Sequence, residues 1–412
     1  MEFREHTLPN GLEIVAECNP EARTTALGFF VKTGARDEAD DTAGVSHFLE
    51  HMVFKGTPRR SADDVNRQFD EMGAHYNAFT SKEGTVYYAA VLPEYQDAAL
   101  DLLADIMRPS LRTEDFDMEK QVIVEEIHMY EDQPPFCADE KCEAVLYGAH
   151  PLGRSVLGTV DTVTGLTVEA MRDYFQSRYS PGNIALVGAG QIEFDRFVRE
   201  ADRHCGGWEP FAAPRELAPP RTQCEFHALH KDSAALEYII QLAEAPGALD
   251  ETRYAAKVLS AVLGDSSGSR LYWELVDPGL ADSAVAGHVD YQETGLFMTS
   301  VSCRAERTEE NLQRVLNIYR DAEAHGVTEA ELGQAKNKIN AHVVLGSERP
   351  RVRLFSVGSN WIQRRQYRSM RDDLSAVEAV TTADLSAVLE RFPLSRNTTF
   401  AIGPLTHVAA PR

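Results

Sequence analysis

His47, Glu50 and His51 stand in the pattern H-x-x-E-H within residues 44–57, GVSHFLEHMVFKGT. On a helix the two histidines fall one turn apart on the same face, close enough for both imidazoles to grip one ion. Imidazole nitrogen suits zinc, and a catalytic zinc needs a third protein ligand and an open position for water. Glu50 lies beside that position, where a carboxylate can take a proton from the water.

Two histidines and a glutamate can also make an ordinary polar helix face. The order of the letters favours the metal, because H-x-x-E-H, the reverse of H-E-x-x-H, is known as the inverzincin signature. A third ligand must come from elsewhere. In residues 115–132, DFDMEKQVIVEEIHMYED, Glu119, Val122 and Glu126 share one helix face, seven residues being close to two turns. Glu126 is the candidate third ligand, Glu125 the second choice, and Glu119 a supporting carboxylate that orients ligand or water. Spacing alone also fits a solvated acidic face, the commoner origin of such glutamates. His75, His128 and His150 are isolated and read as hydrogen-bonded surface or core histidines.

The elements around the signature can be read in order. Residues 12–16 and 26–31 (ALGFFV) alternate or run apolar in the manner of strands, and an acidic loop at 37–41 leads into the H-x-x-E-H helix, which should stop near 55–58, KGTP. Ser61 with Asp63 and Asp64 reads as an N-cap opening a second helix. Residues 73–80 and 85–91 are strand-like runs joined by a polar turn containing Lys82, Glu83 and Gly84. Asn77, Ala78, Phe79 and Thr80 form a short stretch near the signature. As a free strand edge they would pair with an extended peptide of any sequence; the alternative is a plain hairpin.

The chain has 412 residues, more than one ordinary domain, and two domains of about 200 are expected. Residues 206–222, GGWEPFAAPRELAPPRT, are the best linker, separating a zinc-binding half at 1–205 from a second half at 223–412. The halves echo each other. Residues 167–183 match 381–397 in length, each ending in a strand that reaches Gly, and the helix opening at Thr113 resembles the one opening at Thr328. Where Glu119 and Glu126 stand in the first half, the second has Gln334 and Ala341, so metal ligands are expected in the first only.

Composition is that of a globular protein, with no apolar run long enough to span a membrane and no signal-peptide core at the start, so a cytoplasmic location is expected. Six scattered cysteines without a C-x-x-C pair read as structural thiols. The net charge of −23 argues against nucleic acid as a partner and leaves room for basic peptides, though most of it serves solvation.

With GVSHFLEHMVFKGT, NAFTSKEGTVYYAAVL, EKQVIVEEI, PLGRSVLG and RYSPGNIALVG in this order, nearly the whole chain resembles the short-subunit branch of the pitrilysin/insulinase family. That branch includes the mitochondrial processing peptidase and its bacterial relatives. The resemblance implies an α+β fold of two related halves, each a mainly antiparallel sheet covered by helices, and a zinc-dependent endopeptidase acting inside a chamber closed by two subunits. It implies one Zn2+ per chain on His47, His51 and Glu126, Glu50 as general base with Glu119 supporting it, and Asn77, Ala78, Phe79 and Thr80 as the substrate edge. The competing expectation is a structural or peptide-binding subunit that has lost the chemistry. One departure stands out. The family's second half carries an arginine and, seven residues on, a tyrosine that hold the substrate carbonyl. Here residues 275–282 read LVDPGLAD, one residue shorter than the family's stretch, so that Val276 stands for the arginine and Asp282 for the tyrosine, and neither donates to an oxyanion as the family pair would. A heterodimer with a sister subunit supplying Arg and Tyr is therefore expected, or else a homodimer with altered activity.

Overall fold

A computed structural model describes all 412 residues. It contains two compact units, and neither is a continuous half of the chain. The first comprises Met1–His128, Arg154–Glu216 and Leu345–Arg368; the second comprises Met129–Gly153, Leu217–Val344 and Ser369–Arg412. One of the points where the chain passes between units lies between Glu216 and Leu217, within residues 206–222. Two short segments, however, belong to the unit of the other half.

The first unit is built on a six-stranded sheet. Its strands are β1 (Glu2–Thr7), β2 (Glu13–Cys18), β3 (Thr25–Val31), β4 (His75–Thr80), β5 (Thr85–Val91) and β6 (Ile184–Gly190), in the order β1-β2-β6-β3-β5-β4. Only β2 and β6 run parallel. The edge strand β1 was not apparent from its charged sequence; Phe3 anchors it by stacking on Tyr367, ring centroids 4.2 Å apart.

Alternation along the central strand β3 assigns its residues to two different cores. Leu27, Phe29 and Val31 point into the core shared with Phe48, Leu49 and Met52 of the H-x-x-E-H helix. Ala26 and Phe30 face the other way, onto Leu354, Val357 and Trp361 of the helix Pro350–Arg364. A sheet buried on both faces needs a second covering layer, and residues 345–368 supply it from far along the chain. Arg353 fixes that helix to β2 with a buried bidentate pair, Nε to Glu17 Oε1 at 2.8 Å and Nη2 to Oε2 at 2.6 Å.

Gly358 lets the covering helix lie directly on Phe30, since a Cβ there would stand 2.3 Å from the ring. Overpacking of this severity costs about 3 kcal/mol, against roughly 1 kcal/mol gained in helix propensity. Gly358→Ala should therefore lower stability by about 2 kcal/mol, seen as a thermal midpoint several degrees below wild type. An unchanged or raised midpoint would mean that the ring moves aside freely.

The second unit carries five strands: β7 (Phe226–His230), β8 (Glu237–Ala245), β9 (Ser283–Asp290), β10 (Gly295–Cys303) and β11 (Asn397–Gly403), in the order β7-β11-β8-β10-β9. Strand for strand this is the first sheet without β1: β11 runs parallel to β7 and antiparallel to β8, as β6 does to β2 and β3. The echo between residues 167–183 and 381–397 corresponds to Thr167 and Thr381 capping the helices Val168–Arg178 and Thr382–Arg391, which lead into β6 and β11. The helix Ala138–Tyr147 covers the far face of this sheet, with Cys142 and Leu146 against Ile240 and Leu242. All six cysteines are free thiols, and no helix is long and apolar enough to cross a membrane.

Candidate active site

The H-x-x-E-H residues lie on a nine-residue helix, Val45–Val53, here termed the metal helix. Its apolar side, Phe48, Leu49, Met52 and Val53, is buried in the first unit's core, which leaves His47, Glu50 and His51 on the remaining face. Phe48 stacks on Phe116 with centroids 4.5 Å apart. That contact docks the long helix Thr113–Asp132 alongside. On the long helix Phe116, Glu119, Ile123 and Ile127 form the buried stripe, at the three-to-four-residue spacing of one helix face. A carboxylate in an apolar register is the signal that distinguishes Glu119 from an ordinary solvated acid.

The chain folds so that His47, His51 and Glu126 each bring one donor atom within 4.8 Å of the others. Glu126 Oε2 lies 3.8 Å from His47 Nε2 and 3.6 Å from His51 Nε2. Donors at ~2.0–2.1 Å from a tetrahedral zinc are separated by roughly 3.3–3.4 Å, so small side-chain shifts suffice to close the set. Glu125 is exposed and outside the group. His75 is exposed with Arg351 Nη1 at 3.4 Å, His150 Nε2 meets the Ala218 carbonyl at 2.9 Å, and His128 is exposed; none joins the group.

At His47 protonation suits ligation. Burial, helped by the neighbouring His51, holds His47 down to about 3, so its ring is neutral with a lone pair available. His51 Nδ1 lies 2.9 Å from Glu119 Oε1; as the donor it leaves Nε2 to face Glu126 with its lone pair. Burial alone would raise Glu119, but His51 and the Lys55 ammonium, 2.5 Å from Oε2, outweigh it and hold the carboxyl below its usual value. Burial would lower His51, yet Glu119, Glu126 and Glu50 together raise it. Burial raises Glu126, with His51 opposing.

Glu50 is raised by burial, and the Thr80 hydroxyl acts against that rise, donating to Oε2 at 2.6 Å. Thr80 ends β4, which pairs with β5 alone and so has a free edge. Along that edge Asn77 and Phe79 are exposed, Ala78 is buried and Thr80 is half-buried. Sequence reading identified Thr80 only through its backbone; its side chain reaches the proposed base. It also missed Lys55, placed four residues after His51 and so able to reach the same neighbour. The acidic loop at 37–41 contains two acids with buried side chains. Asp37 is paired with Arg178 at 2.8 Å and with Arg215, and Glu38 is 4% exposed. In the second unit, Val276 ends a one-turn π segment, Tyr272–Val276, against that unit's core, and Asp282 is exposed where the chain enters β9.

A chain of two related α+β units, with a convergent His-His-Glu group on the first, defines a protein of the pitrilysin/insulinase class. The insulinase description, peptidase family M16, matches residues 13–160, and that of the M16 inactive domain matches residues 165–339. The chain is 34% identical to an uncharacterised zinc protease of Streptomyces coelicolor, covering 99% of this chain and 91% of the relative, and 32% identical to one of Bacillus subtilis, covering 92% of each. It is 27% identical to a probable mitochondrial-processing peptidase beta subunit of Arabidopsis thaliana, over 98% of this chain and 79% of that one. A Helicobacter pylori protease superposes with TM-score 0.90 at 22% identity, covering 98% of this chain and 100% of that one, a likeness of fold. The chain belongs to peptidase family M16, in its short-subunit branch.

Proposed function

We propose that this protein is a zinc-dependent endopeptidase that cleaves peptides or unfolded segments. The observation carrying the proposal is the convergence of His47, His51 and Glu126 on the first unit beside a carboxylate, Glu50, held by Thr80. A bound zinc would supply Lewis-acid polarisation of the scissile carbonyl and a more acidic water. The chain's own groups do the rest. The β4 edge at Asn77, Ala78, Phe79 and Thr80 pairs with the extended substrate through backbone hydrogen bonds. Glu50, with Oε2 engaged by Thr80, takes the proton of the attacking water on its other oxygen and returns it to the leaving amine. Glu119 keeps His51 oriented.

The catalytic unit works in a two-subunit chamber, and a sister chain supplies the arginine and tyrosine missing at Val276 and Asp282. The alternative, a peptide-binding subunit without chemistry, has no use for a complete ligand set and base. Elemental analysis separates the two. The purified chain is expected to carry one zinc ion, and Glu126→Ala to retain less than about half an equivalent under the same buffer, because a carboxylate ligand contributes directly to metal affinity. A wild-type chain free of zinc after metal loading would overturn the peptidase reading.

A further inference from the structure

The metal helix starts without a cap of its own. The first amides of any helix lack partners inside it, and the usual remedy is a Ser, Thr, Asp or Asn at the N-cap. Here the N-cap is Gly44 at φ 94°, and the first turn holds no acid. A side chain has no room there, since a Cβ on Gly44 would stand 2.5 Å from the Leu157 carbonyl oxygen. The cap comes instead from Glu38, six residues upstream: Oε2 accepts from Gly44 N at 2.7 Å and Oε1 from Ser46 N at 2.8 Å.

Glu38 is itself held firmly. Arg154 donates from Nη1 to the Glu38 carbonyl at 2.6 Å and pairs through Nη2 with Asp40 at 2.6 Å, while Asp37 is tied to Arg178 and Arg215. Ser46 is gripped a second time, its hydroxyl 2.6 Å from the Tyr174 hydroxyl. Burial pushes the Glu38 carboxyl up to about 7 against the pull of the Ser46 and Gly44 amides. A buried carboxylate is costly unless it is fully hydrogen-bonded, and here both oxygens are spent on the two amides just before His47.

We propose that Glu38 is the positioning residue of the metal helix, fixing the Gly44 and Ser46 amides so that His47 and His51 are presented together to Glu126. The proposal rests on the reading of His47, His51 and Glu126 as zinc ligands. Glu38 touches neither the ion nor the substrate and acts through the helix start. Partners that orient metal ligands from outside the coordination shell typically change affinity by about 10- to 100-fold, and a misplaced helix start displaces two ligands at once.

The test is a zinc titration of the full chain against a competing chromophoric chelator, at a temperature where each protein is folded. Glu38→Gln keeps the shape but places an amide NH2 against one of the two donors. It should weaken zinc binding by about 10- to 100-fold. Gly358→Ala, destabilised on the opposite face of the sheet from the metal helix, serves as the control for general loss of stability and should bind zinc within about twofold of wild type. If Glu38→Gln does not fold, Glu38→Asp, which keeps the charge but is one methylene short of the amides, takes its place with the same expectation. A zinc affinity within about threefold of wild type in the folded variant, or an equal loss in Gly358→Ala, would make Glu38 an ordinary stability residue and overturn the proposal. A wild-type chain that takes up no zinc would instead defeat the ligand assignment itself, and with it the proposal, before any variant is compared.

Discussion

Glu50→Gln is expected to keep the wild-type zinc content and to lower kcat for peptide cleavage by about 10³-fold, with KM changed only a few-fold. The separation follows from where Glu50 stands. It lies on the metal helix between the two histidines but outside the group of converging donor atoms, so losing its charge removes no ligand. The Gln side-chain carbonyl can still accept from the Thr80 hydroxyl, which preserves the rotamer that the 2.6 Å contact now fixes. An amide cannot accept the proton of the attacking water, and that is the function removed. Burial raises the Glu50 carboxyl from its usual value, bringing it closer to the pH at which it must both take and release a proton. Zinc content by elemental analysis and steady-state kinetics on one unfolded peptide substrate measure both halves of the expectation. Normal cleavage by the variant would transfer the base assignment to another group, whereas loss of zinc together with activity would make Glu50 a structural support of the site.

The parts of this site that sequence conveys are those encoded by short-range periodicity. His47 and His51 are four residues apart, and a helix of any provenance puts them on one face. Glu119 and Glu126 are seven apart, which again defines a face but not which way it points. The missing information is long-range: Phe48 stacking on Phe116 decides that this face meets the metal helix. Glu38 is a harder case. In sequence it is one of several acids in a polar stretch, and only the fold brings it onto Gly44 and Ser46. The same limit applies to the domain layout. The apolar residues of Pro350–Arg364 mark it as a covering helix, but nothing local says which sheet it covers. The Glu17–Arg353 pair and the close approach at Gly358 are the contacts that decide it.

The last large effect concerns what the chain lacks. Cleavage of an amide places negative charge on the carbonyl oxygen, and donors aimed at that oxygen are each worth about 10²–10³ in rate. The family's arginine and tyrosine supply such donors from the second half, but at the matching positions this chain presents an alkyl group, Val276, and an acid, Asp282. An exposed carboxylate like that of Asp282 is the wrong sign for an oxyanion, and an alkyl group offers no donor. A sister chain carrying R-x6-Y in its second half should therefore raise kcat/KM by about 10²–10³-fold when mixed with this protein, without changing its zinc content. Replacing that arginine in the sister chain by Ala should abolish the gain while leaving the complex assembled, as judged by gel filtration. Copurification from the native source and an assay of each chain alone and mixed provide the measurement. Full activity from this chain alone, indifferent to any sister subunit, would show that its oxyanion donors come from other residues of its own.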